Sequence, residues 1–511
     1  MTAADAEIVV IGGGHNALTC AAYLAEAGLQ VLVVEAGAQL GGDTITEELT
    51  FPGWRHDSCS SAHVVVQSNP LIRDDELGLL ARYGLQYIHT DPAVVMPLDE
   101  EAVVMHRDVD ATADELARWS TADAAALRTM MADWRDCLAG QHARWSAGLP
   151  PTGDAGRRYE ELRRRSAWDV VHDTFSHPVS RALMTWLAFA TIQPPQRPGT
   201  GALPAAITGG RLQYGWATPV GGSSALPDAL ARHLADHDGT VVTSAQVARI
   251  LIHAGRAVGV ETTDGRRFTA SVGVVSSAHL AHLPELLPTP VPAPLQQAAA
   301  TWRPGLALFA VHVALRTDIR YRTADGATTA VAGALGTPAG LRRQVDGCYA
   351  GHAETDDPWL LLVSATAVDP ARAPGGVLKL LTAAPSRLSD DRPWDDDATE
   401  AYAERLLTVA RKRVIGLQSS DVLAVVPESP ASLARRNPHN VGGSCHGGEF
   451  DLGDDGIVPG WPTHRTPIPG LYLTGATTHP GGSVSGRPGR NAARCVLEDL
   501  GIEPATVMPA H

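Results

Sequence analysis

An α/β fold with a parallel, Rossmann-like sheet is predicted by three observations. The chain opens on strand, glycine turn, helix, strand and acid in "IVVIGGGHNALTCAAYLAEAGLQVLVVEAG", Ile8 to Gly37. A second glycine-pair-then-helix unit followed by strands occupies Gly215 to His279. A glycine-rich strand-to-helix junction closes the chain between Gly470 and Gly501. At 511 residues the chain exceeds one small core, so two or three domains are expected.

Each part of the opening unit has a physical task. Glu7 to Ile11 is a β-branched run suited to a buried parallel strand, and Asn16 to Ala27 is helical with an apolar face. Gly12 permits the tight turn, Gly14 lets a pyrophosphate approach the backbone, and Ala17 fills the small-residue position where helix and strand pack. The helix N-terminus, at His15 and Asn16, directs N–H groups and partial positive charge at phosphates. Gly28 is a C-cap, Gln30 to Val34 is the second strand, and Glu35 with Ala36 at its end can hold ribose hydroxyls. This unit predicts a nucleotide without separating NAD from FAD.

"GAQLGGDT", Gly37 to Thr44, places a second glycine pair, Gly41 and Gly42, beside that acid, followed by Asp43 and Thr44. Such an extension predicts another close backbone approach to the same ligand. "FPGWRHDSCSSAH" then turns at Pro52-Gly53; His56, Asp57 and His63 are candidates whose ordinary reading is structural hydrogen bonding.

Residues 110 to 200 are Ala-, Arg- and Asp-rich with helical periodicity, ending on Pro194, Pro195 and Pro198. The Met184, Trp186 and Phe189 stripe reads first as core, with a pocket wall as the alternative. From Gly239 to His279 the pattern is strand, strand, hairpin, strand, with Asp264-Gly265 as the hairpin turn. Residues 301 to 430 supply further strands and one amphipathic helix, expected to form a sheet facing the ligand across a cavity; His312 there reads as core or surface. In the closing segment Leu471 to Thr474 is a strand, and a helix is expected near Arg490.

These motifs together resemble the FAD-binding flavoproteins of the amine oxidase and phytoene desaturase superfamily. The chain is similar to phytoene desaturase-type FAD-dependent oxidoreductases and to the group of pyridine nucleotide-disulfide oxidoreductase domain-containing proteins. The likeness runs through "IGGGHNALTCAAYLAEAG", "TPVGGSSALPDAL", "VDPARAPGG", "NPHNVGGSCHGGEF" and "TGATTHPGGSVSGRPGRNAAR". It implies FAD as cofactor and a discontinuous FAD-binding domain of residues 1–100, 201–300 and 431–511. An α+β substrate domain with a helical insert, residues 101–200 and 301–430, is inserted in it. It implies that Val247 holds the adenine through its backbone, that Gly475 and Ala476 lie near the phosphate or ribityl region, and that His479 to Val484, with Gly482 and Ser483, pass the isoalloxazine. Two departures stand out: Asp43 replaces the Arg that many members carry after the glycine pair, and Ala476 replaces an acid. The candidates for chemistry are His446 as proton acceptor, Cys445 as a polar contact and His479, with Glu449 behind them; a tight loop with a satisfied His is the bland alternative.

Composition narrows the rest. The formal charge of −15 opposes nucleic-acid binding. The six cysteines show no C-x-x-C spacing, which disfavours a metal site or redox disulfide and fits a cytoplasmic protein. No apolar run approaches about 18 residues, so no stable membrane insertion is expected. Three functional readings share the cofactor half. The leading one is desaturation or dehydrogenation of a small organic substrate by hydride transfer to flavin N5. The second is an amine or amino-acid oxidase, in which Arg211, Arg303 or Arg487 could meet a carboxylate. The third is a redox-neutral flavin-dependent isomerase or a non-catalytic FAD-binding protein. Oxygen and quinones stay open as electron acceptors, as does a homodimer.

Overall fold

The computed structural model describes residues 4–99, 101–324, 326–449, 461 and 463–509. Two seven-stranded sheets organise it. In the first, Ala6–Ile11 lies between Val31–Val34 and Arg267–Ser276, parallel to both. Thr240–Val242 extends one side. Leu471–Leu473 pairs with Arg267–Ser276, also in parallel. Every residue of Val31–Val34 is buried, as expected of a parallel strand covered on both faces. The hairpin Val247–His253 and Arg256–Thr262 continues antiparallel from the other end of Arg267–Ser276.

Helices His15–Glu26 and Arg487–Asp499 join the two ends of the chain over this sheet. Their backbones approach closely at Gly489, where a Cβ would stand 2.2 Å from the Asn16 carbonyl oxygen. The closing helix starts at Arg487, three residues before the expected Arg490, because Pro488 sits in its first turn, where its missing N–H costs nothing.

The second sheet runs in the order Val422–Glu428, Ala307–Leu315, Gly376–Ala384, Leu360–Ser364, Ala332–Leu335, Val94–Pro97, Ala102–Met105. Alternation sets its faces. Phe309, Val311 and Val313 pack with Leu406 and Leu407 of helix Asp396–Arg411. Leu308, Ala310, Leu361 and Leu381 face the opposite way, into a cluster with Trp186, Phe189 and Trp359. Met184 and Trp186 lie on helix Pro178–Ala188 and Phe189 on the 3₁₀ turn that follows it, and the block before them is largely helical from Val109 onward. No helix among the described residues is long and apolar enough to cross a membrane.

Candidate functional site

A cavity of about 920 Å³ opens where the first sheet's strand ends meet the second sheet. Ligands of open α/β sheets gather beyond the carboxyl ends of the strands. The lining includes Gly12, Gly14, His15, Asn16, Ala17, Glu35, Ala36, Gly41, Gly42, Asp43, Thr44, Val247, Gly475, Ala476, Ser483, Val484, Cys445 and His446. Segments separated by hundreds of residues thus share one cleft.

Its first half is built from backbone. Gly12 has φ +94°, and a Cβ there would stand 2.3 Å from Ser277 Oγ, which donates to the Ile11 carbonyl at 2.8 Å. Gly14 is the N-cap of the opening helix in extended conformation, with no side-chain cap. A Cβ on Gly14 would meet nothing within 4 Å. Gly41 donates its N–H to the Gly13 carbonyl at 2.8 Å, so the second glycine pair lies directly on the first turn. The Glu35 carboxylate accepts from the N–H groups of Gly13 at 2.5 Å and Gly37 at 2.6 Å, which aims it along the cleft. His15 is hydrogen-bonded through Nδ1 to Thr44 Oγ1 at 2.9 Å, and its ring also meets the backbone of Ser483. Burial pulls His15 down to about 4, so it is neutral at pH 7.

Asp43 accepts from Nδ2 of both Asn437 and Asn440, at 2.9 and 3.0 Å. The carboxylate that stands in place of an arginine therefore ties the glycine loop to the loop before Cys445. The Asp43 carboxylate and the thiols of Cys59 and Cys445 lie within 4.8 Å of one another. The Cys59 thiol and burial hold Cys445 well above the usual thiol range. Cys445 is thus a protonated polar contact and not a nucleophile.

Fit to FAD can be judged from the walls alone. An open, uncapped helix N-terminus, two glycine turns with no room for side chains at Gly12 and Gly41, and an acid positioned by the turn accommodate a dinucleotide. Asn16 Oδ1 and His439 Nε2 are buried in the same lining without partners among the described residues, as groups awaiting a polar ligand are. Cys59, Ser60, Ser61 and Ala62 continue the lining of the same cavity.

Two expected site residues are placed elsewhere. His479 is not in the lining: its Nε2 hydrogen-bonds the Trp145 carbonyl at 2.6 Å, and its ring packs edge-on against Trp145. This anchors the closing loop to the helical insert and removes His479 from the reacting centre. Gly482 also lies outside the lining, and a Cβ on it would come 2.6 Å from the His446 carbonyl. It serves as the thin spot that lets the loop of His446 pack on the closing segment.

The remaining candidates separate by their partners. His446 lines the cavity with Nδ1 unpartnered among the described residues, and burial lowers it to about 4. Glu449 is engaged by the Tyr349 hydroxyl at 2.5 Å and by Arg197 at 3.1 Å. His56 is paired with Thr50, His63 with Tyr87, Asp57 with Arg372 and His312 with Glu428, so all four are structural. Of the three arginines, Arg303 is exposed near Glu449 and Arg487 donates to the Ser68 carbonyl at 2.9 Å, whereas Arg211 lines the cavity.

The far end of the cavity is apolar: Ile192, Ile207, Leu308, Leu361 and Leu381 line it with Trp186, Trp216 and Trp359. Trp186 and Trp359 stack at 5.3 Å, and their indole N–H groups bond the Leu360 and Trp186 carbonyls. They therefore present ring faces and not donors. Of the Met184, Trp186 and Phe189 stripe, Trp186 is wall and the other two are core.

Several lining residues were not singled out from the sequence: Ser277, His279, Asn437, His439, Trp216 and Trp359. A signal existed for Ser277 and His279, which follow directly on a strand returning to the parallel sheet, the position where such sheets meet ligands. Nothing local marked the tryptophans, since a buried aromatic reads alike in core and in pocket.

A family model described as flavin containing amine oxidoreductase matches residues 18–497. Pyridine nucleotide-disulfide oxidoreductase domain-containing protein 2 of Mus musculus is 28% identical over 558 residues, covering 97% of this chain and 94% of that protein. A limonene dehydrogenase subunit of Castellaniella defragrans is 27% identical over 552 residues, covering 99% of this chain and 98% of that protein. An engineered triple mutant of a putrescine oxidase superposes with a TM-score of 0.64 at 16% identity, covering 97% of this chain and 99% of that one, and shows the shared fold.

Proposed function

The chain belongs to the flavin-containing amine oxidoreductase family, and from that premise we propose that it dehydrogenates an apolar organic substrate, removing a hydride and a proton from adjacent atoms. It is an FAD-dependent oxidoreductase. The observation that carries the reading is one continuous cavity joining the glycine cleft to an aromatic chamber, with a neutral histidine, His446, in its wall. The likeness to the limonene dehydrogenase subunit supports a dehydrogenase over an oxidase of charged amines. So does the lining itself: of its four acids, Glu35 and Asp43 are committed to backbone and amide donors, Glu47 is paired with Arg436, and Glu285 stands exposed beside His282.

FAD, when bound, supplies the two-electron acceptor. The protein's own contribution is placement. Gly12, Gly14 and the first turn through Ala17 hold the pyrophosphate, Glu35 holds the ribose, and Val247 holds the adenine through its backbone. Gly475, Ala476, Ser483 and Val484 lie along the ribityl and ring region. The tryptophan walls orient the substrate, and His446 Nδ1 accepts the proton. We assign residues 1–100, 201–300 and 431–511 to cofactor binding and 101–200 with 301–430 to the substrate, with Val94–Pro97 contributed to the substrate-side sheet and helix Leu203–Tyr214 with Trp216 to the wall of the substrate chamber. The same reading places the enzyme in the cytoplasm, with oxygen or a quinone as the terminal acceptor.

The test is anaerobic mixing of FAD-loaded protein with a panel of apolar alkenes, alcohols and amines, each with and without a carboxylate. Dehydrogenation is read as bleaching of the flavin together with a product two hydrogens lighter. Bleaching by amines alone, followed by peroxide when air is readmitted, would replace the reading by an amine oxidase, and an isomeric product formed only with reduced flavin would replace it by an isomerase. For the proton acceptor, His446→Gln is expected to slow bleaching by about 100-fold with flavin content unchanged. Because His446 is held at about 4, it accepts protons above that pH and loses the ability as pH falls through it. The parent should therefore show an acid limb near that value that the variant lacks. A variant within threefold of the parent, with the same limb, would assign the proton elsewhere.

A further inference from the structure

The aromatic chamber holds a cation that the fold does not use. Arg211 lies in the last turn of helix Leu203–Tyr214 and is 5% exposed. Its guanidinium stacks over the Trp216 ring at 4.0 Å from the centroid. The Trp216 indole N–H is taken by the Ser61 carbonyl at 3.0 Å, so the ring face is what remains for Arg211. Nε and Nη1 of Arg211 are both buried without a hydrogen-bond partner among the described residues. Burial alone pulls the group down to about 9, with no acid contributing, and this leaves it a cation at neutral pH.

A buried guanidinium without a counter-ion is strongly disfavoured unless something supplies the missing charge and acceptors. The other buried arginines show the ordinary arrangement. Arg372 has Asp57 and Asp369, and Arg490 has Glu76. Arg487, likewise without an acid, still donates to a backbone carbonyl. Among the described residues Arg211 has neither, and it lines the cavity together with Ile207, one helical turn before it. A second unpartnered group, the Thr191 hydroxyl, is buried in the same wall. The phosphate-binding features of the cleft belong to Gly12–Ala17, on another element, so the dinucleotide's anionic end is provided for without Arg211.

We infer that Arg211 is the anion receptor of the substrate chamber and that the substrate is an apolar molecule bearing a single carboxylate. One planar guanidinium fork matches one carboxylate, whereas a phosphate dianion calls for further cationic donors. The tryptophan and aliphatic walls take the hydrocarbon body, and the Arg211–carboxylate pair fixes which carbon faces the flavin ring. Pairing with a buried guanidinium is stronger than at a surface, and it rejects a neutral analogue by leaving the guanidinium unsatisfied.

This inference rests on the dehydrogenase reading, and its test separates the two. Flavin-free and FAD-loaded protein are titrated with 4-phenylbutanoate and with 4-phenylbutanamide, following tryptophan fluorescence and the flavin difference spectrum. The acid is expected to bind at least tenfold tighter than the amide, with Arg211→Met abolishing the preference and Arg211→Lys retaining part of it. Equal binding of acid and amide by the parent, no binding of either, or a preference that survives in Arg211→Met would overturn the inference. The parent titration stands even if a variant does not fold. Failure of the parent protein to take up FAD would instead strike the dehydrogenase reading, while normal uptake without acid preference would strike Arg211 alone.

Discussion

Gly14→Val is expected to yield a protein that folds and melts like its parent and takes up FAD at least about 100-fold more weakly, a loss of about 3 kcal/mol. The expectation comes from two properties of this position that do not usually coincide. Gly14 has φ −69° and ψ 159°, an ordinary extended conformation that valine adopts without strain. A Cβ there meets nothing within 4 Å of the protein, so the space it would fill is cavity. The added methyl groups would stand at the N-terminus of helix His15–Glu26, where the pyrophosphate must approach the backbone. Gly12 offers the contrast. Its φ of +94° and the 2.3 Å approach of a Cβ to Ser277 Oγ mean that Gly12→Ala strains the fold before any cofactor arrives. That variant is expected to lose both flavin and about 1–3 kcal/mol of stability. Flavin-fluorescence titration of the apo-proteins alongside their thermal unfolding separates the two effects. If Gly14→Val bound FAD within threefold of the parent, the phosphates would not lie at this helix terminus.

The difference between these two glycines marks where a sequence stops being informative. Both are legible as parts of G-x-G-x-x-A, because a glycine turn between a β-branched run and an alanine-rich helix has few other uses. Which of them faces its own fold and which faces the ligand depends on Ser277, 265 positions after Gly12. The same holds for Val94–Pro97. A four-residue apolar strand carries no mark of which sheet it joins, and its hairpin with Ala102–Met105 and its contact with Ala332–Leu335 decide the matter. The motif around His479 points it toward the flavin, yet the imidazole is claimed by the Trp145 carbonyl from the helical insert. Arg211, Arg303 and Arg487 are indistinguishable as letters. Only their partners separate a surface cation, a structural donor and an unpaired charge in a cavity. Periodicity and glycine spacing report on local backbone, and those parts of the cleft were readable. The aromatic chamber is made by side chains from helices and strands far apart in the chain, and no local rule brings Trp186, Trp216 and Trp359 together.

Arg372→Met is expected to destabilise the protein by about 3–5 kcal/mol at neutral pH, the cost of removing one member of a buried ionic network. Arg372 is fully buried and makes three bonds from one guanidinium: to Asp57 at 2.6 Å, to Asp369 at 2.9 Å and to the Pro219 carbonyl at 2.8 Å. Asp57 also accepts from Thr46 Oγ1 and the Ser223 N–H, and Asp369 from the Gly221 N–H. The network therefore clamps the segment before Cys59, the loop leading to helix Ala225–Asp236 and the substrate-side sheet to one another. Lys379 of that sheet adds bonds to the Cys59 carbonyl and Ser61 Oγ, so the cavity wall from Cys59 to Ala62 hangs on the same clamp. Burial pushes Asp57 upward, but Arg372 and the donors from Ser223 and Thr46 outweigh it and hold its pKa below the ordinary carboxylate value. A depressed pKa in the folded state contributes stability above the unfolded value of about 3.9 and loses it as pH falls through the folded value. In Arg372→Met the burial effect prevails, Asp57 titrates above its unfolded value, and the variant recovers part of the deficit on protonation. The gap between parent and variant in urea unfolding should accordingly be widest at pH 7 and narrow toward pH 4. Arg372→Lys should rescue little, because a single ammonium cannot span three acceptors held in one plane. A gap below about 1 kcal/mol that does not change with pH would mean that Asp57 and Asp369 are satisfied without the guanidinium, and that the clamp lies elsewhere.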